Sequence, residues 1–279
     1  MNAVKSFLLI TAMTALLVVI GFLWRGEMGV LMALGVGVLM NGFAYFFSDR
    51  IVLASYGAKV LQPGEAPQLE AIVANLAQRA GLPMPRVAII PEDTPNAFAT
   101  GRNPDHAVVA VTEGLMELLN RHELEGVIAH ELGHVKHRDI LVGSLASVLA
   151  QAIMFISSMV RFITPRDEEG RSNPIAGLVI MIVGPIAALL LQMAISRSRE
   201  YLADEYAARV TGRPDMLASA LAKLASWNAR APMRQAEPAT AHMMTVNPLS
   251  GHGLSSLFST HPAIEKRIAR LNAMPVEMR

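Results

Sequence analysis

The pentapeptide His130-Glu131-Leu132-Gly133-His134 decides how the rest of this 279-residue chain is interpreted. On a helix, side chains four residues apart project from one face, so His130 and His134 can reach the same metal ion. Glu131 lies beside the first histidine and can act on a water molecule at that metal. The motif therefore predicts a metal-dependent hydrolase with Glu131 as its catalytic acid/base. The alternative is a surface helix that carries two histidines by chance.

The residues around the motif favour a long helix. Asn120 followed by Glu123 is a capping-box pattern, which predicts that a helix begins there and enters the motif. No proline interrupts the chain from Arg121 to Val160, so the sequence predicts that this helix continues past His134 into an apolar run.

A catalytic zinc ion takes three protein ligands and leaves one position for water, so a third ligand is needed. His137 lies on the same face but roughly 10 Å further along the helix than His130, which is too far for one ion. Glu200 is the better candidate. Asp204, one turn later, can accept the second N–H of a ligating imidazole. The alternative for Glu200 and Asp204 is a salt-bridged helix face formed with Arg199.

Composition excludes several other classes of protein. Hydrophobic residues make up 52% of the chain and charged residues 17%, and the mean hydropathy is +0.38. The 24 Lys and Arg residues balance 23 Asp and Glu residues, which excludes the basic surface of a nucleic-acid binder. The chain has no cysteine, which excludes disulfide frameworks, Cys-ligated zinc and thiol catalysis.

Four apolar stretches approach the ~20 residues that cross a ~30 Å hydrocarbon core. They cover residues 7–24, 29–47, 140–160 and 175–195. The first pair predicts an uncleaved hairpin, because no small-residue cleavage site follows the first stretch and Arg25-Gly26-Glu27 leads directly into the second. Gly184-Pro185 interrupts the last stretch, so a pair of buried core helices is the alternative for the second pair.

The predicted spans divide the chain into four parts, which are a transmembrane hairpin (1–47), a polar block (48–139), a second hairpin (140–195) and a second polar block (196–279). Lys and Arg near the span ends favour the cytoplasmic side for both polar blocks. His134 lies six residues before Ile140, where the third stretch begins, and Glu200 lies five residues after Ile195, where the fourth ends. At a helical rise of 1.5 Å per residue, both separations place the metal within roughly 10 Å of the membrane.

The polar blocks predict a mostly helical α+β fold with a small β-sheet. The predicted elements are helices over Pro67–Ala80, Pro214–Trp227 and Pro262–Leu271, and strands over Val87–Ile90, Asn96–Thr100 and His106–Val111. Gly81-Leu82-Pro83 ends the first helix. The segment Asn96-Ala97-Phe98-Ala99 can be an edge strand whose backbone pairs with an extended peptide; an ordinary hairpin strand is the alternative.

Three motifs, in this order, resemble the HtpX family of bacterial heat-shock membrane proteases. They are HELGHVKHRD (130–139), SRSREYLAD (196–204) and FSTHPAIEKRI (258–268). This family is the bacterial branch of the integral-membrane zinc metallopeptidases that include the CAAX prenyl proteases. The resemblance covers most of the chain and implies a zincin-like metalloprotease domain fused to four transmembrane helices.

The resemblance implies one Zn²⁺ per chain, bound by His130, His134 and Glu200. It also implies that Asp204 does not bind the metal itself but contacts one of the ligands.

For the carboxy-terminal motif, the resemblance implies that His261 and Arg267 line the site, with His261 as a donor to the oxyanion. Without the resemblance, His261 would be interpreted as a residue at the start of a helix, and Arg267 could face either substrate or solvent.

The resemblance also implies what the protein acts on and where. It implies an endopeptidase of the bacterial inner membrane, with a cytoplasmic active site, that cleaves misfolded membrane proteins or unfolded polypeptides in quality control and the stress response. The expected partners of the protein are then these substrates and the lipid bilayer, and nucleic acid is not expected to bind. Two other functions stay open, which are a prenyl-protein protease and a non-enzymatic membrane adaptor that uses zinc structurally.

Overall fold

The computed structural model describes residues 2–148, 150, 197–228, 230, 243–245 and 262–275. Its first helix, α1 (Asn2–Ser55), is broken at Arg25-Gly26, where Gly26 has a φ of 57°. The break turns the chain back on itself. Asn41 Nδ2 donates a hydrogen bond of 3.0 Å to Thr14 Oγ1 across the two arms, and a Cβ added at Gly37 would lie 3.5 Å from Thr14 Cγ2. The apolar stretches 7–24 and 29–47 are therefore the arms of a helical hairpin.

Within the described residues, one helix, Arg25–Ser55, is long and apolar enough to cross a membrane. Its apolar side chains are turned outward rather than into a protein core; Leu39 is 74% exposed and Val38 is 70% exposed. Contiguous exposed apolar surface of this kind suits a lipid environment. Of the second predicted pair of spans, the structure describes the start, a short apolar helix over Asp139–Val148. Residues 151–195 lie outside the described part of the chain.

The remaining elements follow α1 in chain order. They are β1 (Lys59–Val60), α2 (Pro67–Ala80), β2 (Arg86–Ile90), β3 (Ala97–Thr100), β4 (Val108–Thr112), α3 (Glu113–Leu118), α4 (Arg121–Lys136), α5 (Asp139–Val148), α6 (Arg197–Thr211), α7 (Pro214–Asn228) and α8 (Ile264–Asn272). The described part of the chain is thus mostly helical with one small sheet. The predicted helices and strands of the polar blocks are confirmed to within two residues at each end, and Gly81 ends α2 in the left-handed conformation.

The sheet is mixed, with strand order β1-β2-β4-β3. β2 and β4 are parallel, whereas β1 and β3 are antiparallel to their neighbours, so β3 lies at an edge of the sheet that the described residues form. Alternate residues pack to opposite faces, Val109 against the helices and Ala110 against the end of α1. His106 is not part of β4 as predicted. It ends a 3₁₀ turn (Pro104–His106), because its backbone N–H donates to Asn103 Oδ1 at 3.1 Å.

α4 is the helix on which the others pack, and it begins as predicted with the capping box of Asn120 and Glu123. It does not continue into α5. Arg138 adopts a φ of 57°, and its N–H donates to the carbonyl of Val135, so the chain turns before α5 begins at Asp139. The prediction of an unbroken helix was wrong because a left-handed residue can end a helix without a proline.

Glycines on α4 allow two helices to approach closely. A Cβ added at Gly133 would lie 3.1 Å from Ala203 Cα on α6, and one added at Gly126 would lie 3.0 Å from the backbone nitrogen of Leu217 on α7. Both distances are shorter than nearly all real Cβ contacts, so a side chain at either position would push the helices apart, and glycine at position 133 lets α6 pack directly on the face of α4 that carries the histidines.

Candidate metal centre

His130, His134 and Glu200 form a cluster in which one potential ligand atom of each lies within 4.8 Å of the others. The Nε2 atoms of the two histidines are 3.2 Å apart, and Glu200 oxygens lie 3.7 Å from His130 Nε2 and 3.5 Å from His134 Nε2. Two atoms bound at ~2.0–2.1 Å to a tetrahedral metal lie roughly 3.3 Å apart. The spacing therefore fits a small divalent ion with two nitrogen ligands and one carboxylate.

The pairing of α4 with α6 brings these ligands together. Glu200 lies one turn before Ala203, the residue that packs against Gly133. Since Gly133 adjoins His134 on α4, the tight packing of the two backbones directs Glu200 toward the two imidazoles. The three ligands thus come from two helices that are more than 60 residues apart along the chain.

A buried carboxylate–arginine pair lies behind His130. Its Nδ1 is 2.9 Å from Asp204 Oδ1, and Asp204 in turn accepts hydrogen bonds from Arg267 Nε at 2.9 Å and Nη2 at 2.7 Å. Burial alone would raise the pKa of Asp204, but the Arg267 charge and the contact with His130 outweigh burial and lower the pKa. Asp204 therefore stays ionised and can fix the orientation of the imidazole. Arg267 is buried and faces this carboxylate, not solvent.

A second pair, which the sequence analysis missed, lies behind His134. Its Nδ1 is 3.2 Å from Asp139 Oδ2, and Arg199 Nη1 donates to Asp139 Oδ1 at 2.9 Å. Arg199 thus pairs with Asp139 and not with the Glu200–Asp204 face of its own helix. Burial alone would lower the pKa of His134, but Asp139 and the nearby carboxylates Glu200 and Glu131 raise it to about 9. The same negative charge favours a bound cation.

Glu131 is 1% exposed and lies beside the cluster without belonging to it. Its Oε1 accepts a hydrogen bond of 2.7 Å from the hydroxyl of Thr245. Thr245 could not be identified from the sequence, because no motif links residue 245 to the helix of Glu131. A buried glutamate next to a candidate metal cluster is suited to proton transfer.

The predicted substrate strand and two further histidines lie in different places relative to the cluster. Asn96, Ala97, Phe98 and Ala99 lie on or beside the edge strand β3, which packs against α4, and all four are buried. His137 is exposed, and its ring packs 5.6 Å from that of Tyr206, away from the cluster, as the sequence predicted. His261 lies outside the described residues.

A family model described as Peptidase family M48 matches residues 63–275. This chain belongs to peptidase family M48. Two M48 relatives described as "Protease HtpX homolog" are 54% identical (Desulfatibacillum aliphaticivorans, 97% of this chain and 89% of the relative) and 51% identical (Pyrococcus furiosus, 99% and 96%). The resemblance to HtpX is therefore confirmed, and the M48 chain is a membrane-associated metallopeptidase that acts on polypeptides.

A solved structure, Ste24p of S. mikatae, matches 97% of this M48 chain with a TM-score of 0.54 and 17% identity. The chain spans 65% of the length of Ste24p. At this identity the match supports a shared fold and no more.

Proposed function

We propose that this M48 peptidase is a zinc-dependent endopeptidase in which His130, His134 and Glu200 hold one Zn²⁺ per chain. The spacing of the three potential ligand atoms is the observation that carries the proposal. Two imidazoles with one carboxylate are a ligand set of catalytic zinc sites, and an open fourth position suits water. The chain has no cysteine with which to build a closed thiolate site.

The chain's own residues have separate roles in this proposal. Zinc, when bound, lowers the pKa of water and polarises a peptide carbonyl. Glu131 takes the proton from the water and delivers it to the leaving nitrogen. His261 is the proposed donor to the oxyanion.

Asp204 orients His130, and we assign Arg267 to holding Asp204 rather than to binding substrate. The two hydrogen bonds between Arg267 and Asp204 support this assignment.

The proposed topology has four transmembrane helices (7–24, 29–47, 140–160 and 175–195) in the bacterial inner membrane, with polar blocks 48–139 and 196–279 on the cytoplasmic side. The hairpin of α1 supports the first pair of helices. The start of α5 at Asp139, five residues after His134, keeps the cluster close to the second pair.

The proposed substrates are misfolded or damaged membrane proteins and unfolded polypeptides, which enter beside the edge strand β3. Backbone pairing at a sheet edge binds extended peptides with little dependence on their sequence, which suits a quality-control enzyme. A prenyl-protein protease is the alternative function that the resemblance to the integral-membrane zinc metallopeptidases leaves open. A non-enzymatic adaptor is disfavoured, because a purely structural site needs no buried glutamate at position 131.

The test is cleavage of casein, and of a misfolded membrane substrate, by the purified protein in detergent. A chelator should abolish cleavage, and Zn²⁺ should restore it while Mg²⁺ does not. Cleavage that persists in the chelator, with no metal left in the protein, would contradict the proposal. A farnesylated CAAX peptide cleaved in preference to casein would favour the alternative function.

A further inference from the structure

Three described residues, Met243–Thr245, lie against the edge strand β3; we call this segment the strap. The backbone N–H of Thr245 donates to the carbonyl of Ala97 at 2.9 Å. Ala97 belongs to the edge strand, whose outward backbone groups are those that an incoming peptide would pair with. One acceptor of that edge is therefore occupied by the chain itself.

The strap also contacts the catalytic residues. The Thr245 hydroxyl lies 2.7 Å from Glu131 Oε1 and 3.0 Å from the Ala97 carbonyl, and the Thr245 carbonyl accepts from Arg267 Nη1 at 3.0 Å. A hydroxyl has one proton to donate, and the shorter distance favours Glu131. Both backbone polar groups of Thr245 are thus hydrogen-bonded, and its hydroxyl donates to an oxygen of Glu131, the residue proposed to accept a proton from water.

Side chains away from the metal cluster hold the strap in this position. Met244 is fully buried in the hydrophobic cluster that includes Phe98 and Tyr56. Ser147 Oγ lies 3.0 Å from Met243 Sδ and donates to it. Among the described residues, no hydrogen bond or ion pair joins Met244 or Ser147 to Glu131 or to the proposed metal ligands, so a change at either anchor acts on the site through the strap.

We propose that the strap is an autoinhibitory contact that occupies the substrate's place on β3 and is displaced when a polypeptide binds. This proposal rests on the proposed function of β3 as the substrate edge. A protein whose competent state is only partly populated binds its substrate with an affinity reduced by that fraction. Loosening the strap should therefore lower the KM for a peptide and leave kcat unchanged.

The first test is the variant Met244→Ala in the full-length protein, assayed with a fluorogenic peptide derived from casein. We expect a KM lower by roughly threefold to tenfold, with kcat within about twofold of wild type. Leu76→Ala is the control, since Leu76 is also buried but lies on α2 in the other hydrophobic cluster, which does not include Met244. Its KM should stay at the wild-type value. A fall in kcat for Met244→Ala at unchanged KM would overturn the proposal and make the strap a fixed part of the site.

The second test fixes the strap in place. The chain has no cysteine, so Ser147→Cys with Met243→Cys introduces the only two thiols. A short bifunctional methanethiosulfonate should join them, raise the KM at least tenfold and be reversed by a reducing agent. A cross-linked protein with the same KM as its reduced form would overturn the proposal. Wild-type protein that cleaves no peptide would contradict the proposed function instead.

A cavity of about 350 Å³ at the end of α1 carries a second, independent inference. Its walls include Phe46 and Arg50 of α1, Met84 and Arg86 before and on β2, and Arg102 and His106 before β4. The cavity lies directly after the apolar part of the candidate span Arg25–Ser55. It is therefore placed where a membrane surface meets the peptidase domain.

Three arginines (Arg50, Arg86 and Arg102) and two aspartates (Asp49 and Asp105) line this cavity. Arg86 forms a 2.6 Å ion pair with Asp49. Within the described part of the chain, neither Arg50 nor Arg102 lies within ion-pair distance of a carboxylate. Their guanidinium groups lie over the rings of Phe47 and Phe46, at 5.4 Å and 5.6 Å from the ring centres. Two cations are thus positioned beside aromatic rings without an acidic partner.

The rim of the cavity is apolar on the side of the span, since Phe46 is 56% exposed and Met84 is 49% exposed. Cations above an apolar rim match a phosphate group joined to acyl chains. We infer that this cavity binds the headgroup of an anionic phospholipid.

The test is the thermal stability of the detergent-purified protein with added phosphatidylglycerol, phosphatidylcholine or inorganic phosphate. Phosphatidylglycerol should raise the Tm by several degrees, and the double variant Arg50→Gln/Arg102→Gln should lose most of that rise. Arg79→Gln, which changes an exposed arginine on α2, is the control and should keep it. An equal response to inorganic phosphate would point to a free-anion site. An equal response of the double variant and wild type to phosphatidylglycerol would overturn the inference.

Discussion

Each of the two histidines of the cluster contacts an aspartate that is paired with an arginine, but the two pairs come from different parts of the chain. Behind His130, Asp204 and Arg267 come from α6 and α8, and every member is buried. Behind His134, Asp139 follows only five residues later and Arg199 comes from α6. The His134 side chain is 17% exposed, whereas that of His130 is fully buried. The support of His130, which we call the buried half of the site, thus depends on packing between segments far apart in the chain. The support of His134, which we call the local half, depends largely on the turn between His134 and Asp139.

This difference separates what each half contributes. In the buried half, Asp204 accepts two hydrogen bonds from Arg267 of α8, so this support needs α8 in place. In the local half, the turn at Arg138 brings Asp139 close to His134, and Arg199 of α6 donates one hydrogen bond to it. We expect the buried half to affect metal affinity more strongly.

The largest expected effect comes from the ligand that both halves share. Glu200→Ala should lower the affinity for zinc by more than the ~10–100-fold typical of a partner behind a ligand, because it removes one of three direct ligands. Metal content after dialysis, measured by mass spectrometry, checks this. If the variant retains zinc as wild type does, the third ligand lies elsewhere, and His261 and then His242 should be examined.

Asp204→Asn and Asp139→Asn compare the two halves directly. Each should lower zinc affinity or activity by ~10–100-fold, because the imidazole loses its anionic partner. Asp204→Asn should have the larger effect, because Asp204 contacts the fully buried His130 and accepts two hydrogen bonds from Arg267, whereas His134 is 17% exposed and Asp139 accepts one hydrogen bond from Arg199. Competition titrations with a zinc chelator measure both affinities. Equal losses would show that burial does not distinguish the halves.

Gly133→Ala tests the close packing on which both halves depend. Its Cβ would crowd Ala203 of α6, just as the Cβ of Gly126→Ala would crowd Leu217 of α7. Both variants should lose about 1–3 kcal/mol of unfolding free energy. Only Gly133→Ala should also weaken zinc binding, because only α6 carries Glu200. A loss of zinc affinity in both would attribute the effect to general destabilisation.

The smallest effect on the site is expected from Glu123, at the opposite end of α4. Burial alone would raise the pKa of Glu123, but hydrogen bonds from Lys223, Ser219 and the Asn120 backbone outweigh it and lower the pKa. Its stabilising contribution is therefore present above pH ~4.5 and lost as the pH falls below that value. Glu123→Gln should cost about 1–2 kcal/mol at pH 7 and progressively less in acid, with zinc affinity unchanged. Denaturant titrations at several pH values check this.

From the sequence, His130, His134 and Glu200 are predicted as ligands and Asp204 as their carboxylate partner, and the structure brings these four residues together; the nearby Asp139 was missed. The i, i+4 histidines and the need for an anionic partner are local chemical rules, and the resemblance to HtpX placed Glu200 and Asp204. On an unbroken helix, a residue five positions after His134 would lie about 140° around the axis, facing away from it. The left-handed conformation of Arg138 turns Asp139 toward His134, and an arginine in the sequence does not indicate that conformation as a glycine would. Thr245 was missed because its contacts with Ala97 and Glu131 join segments more than 100 residues apart.

The most direct test of the account is Glu131→Gln, measured for zinc content and for casein cleavage on the same preparation. Glu131 is proposed to move protons and not to bind metal. We therefore expect about one zinc per chain, as in wild type, with activity reduced by ~10²–10⁴-fold. Loss of zinc together with activity would make Glu131 structural, and wild-type activity with zinc bound would remove it from the reaction; either result would contradict the account.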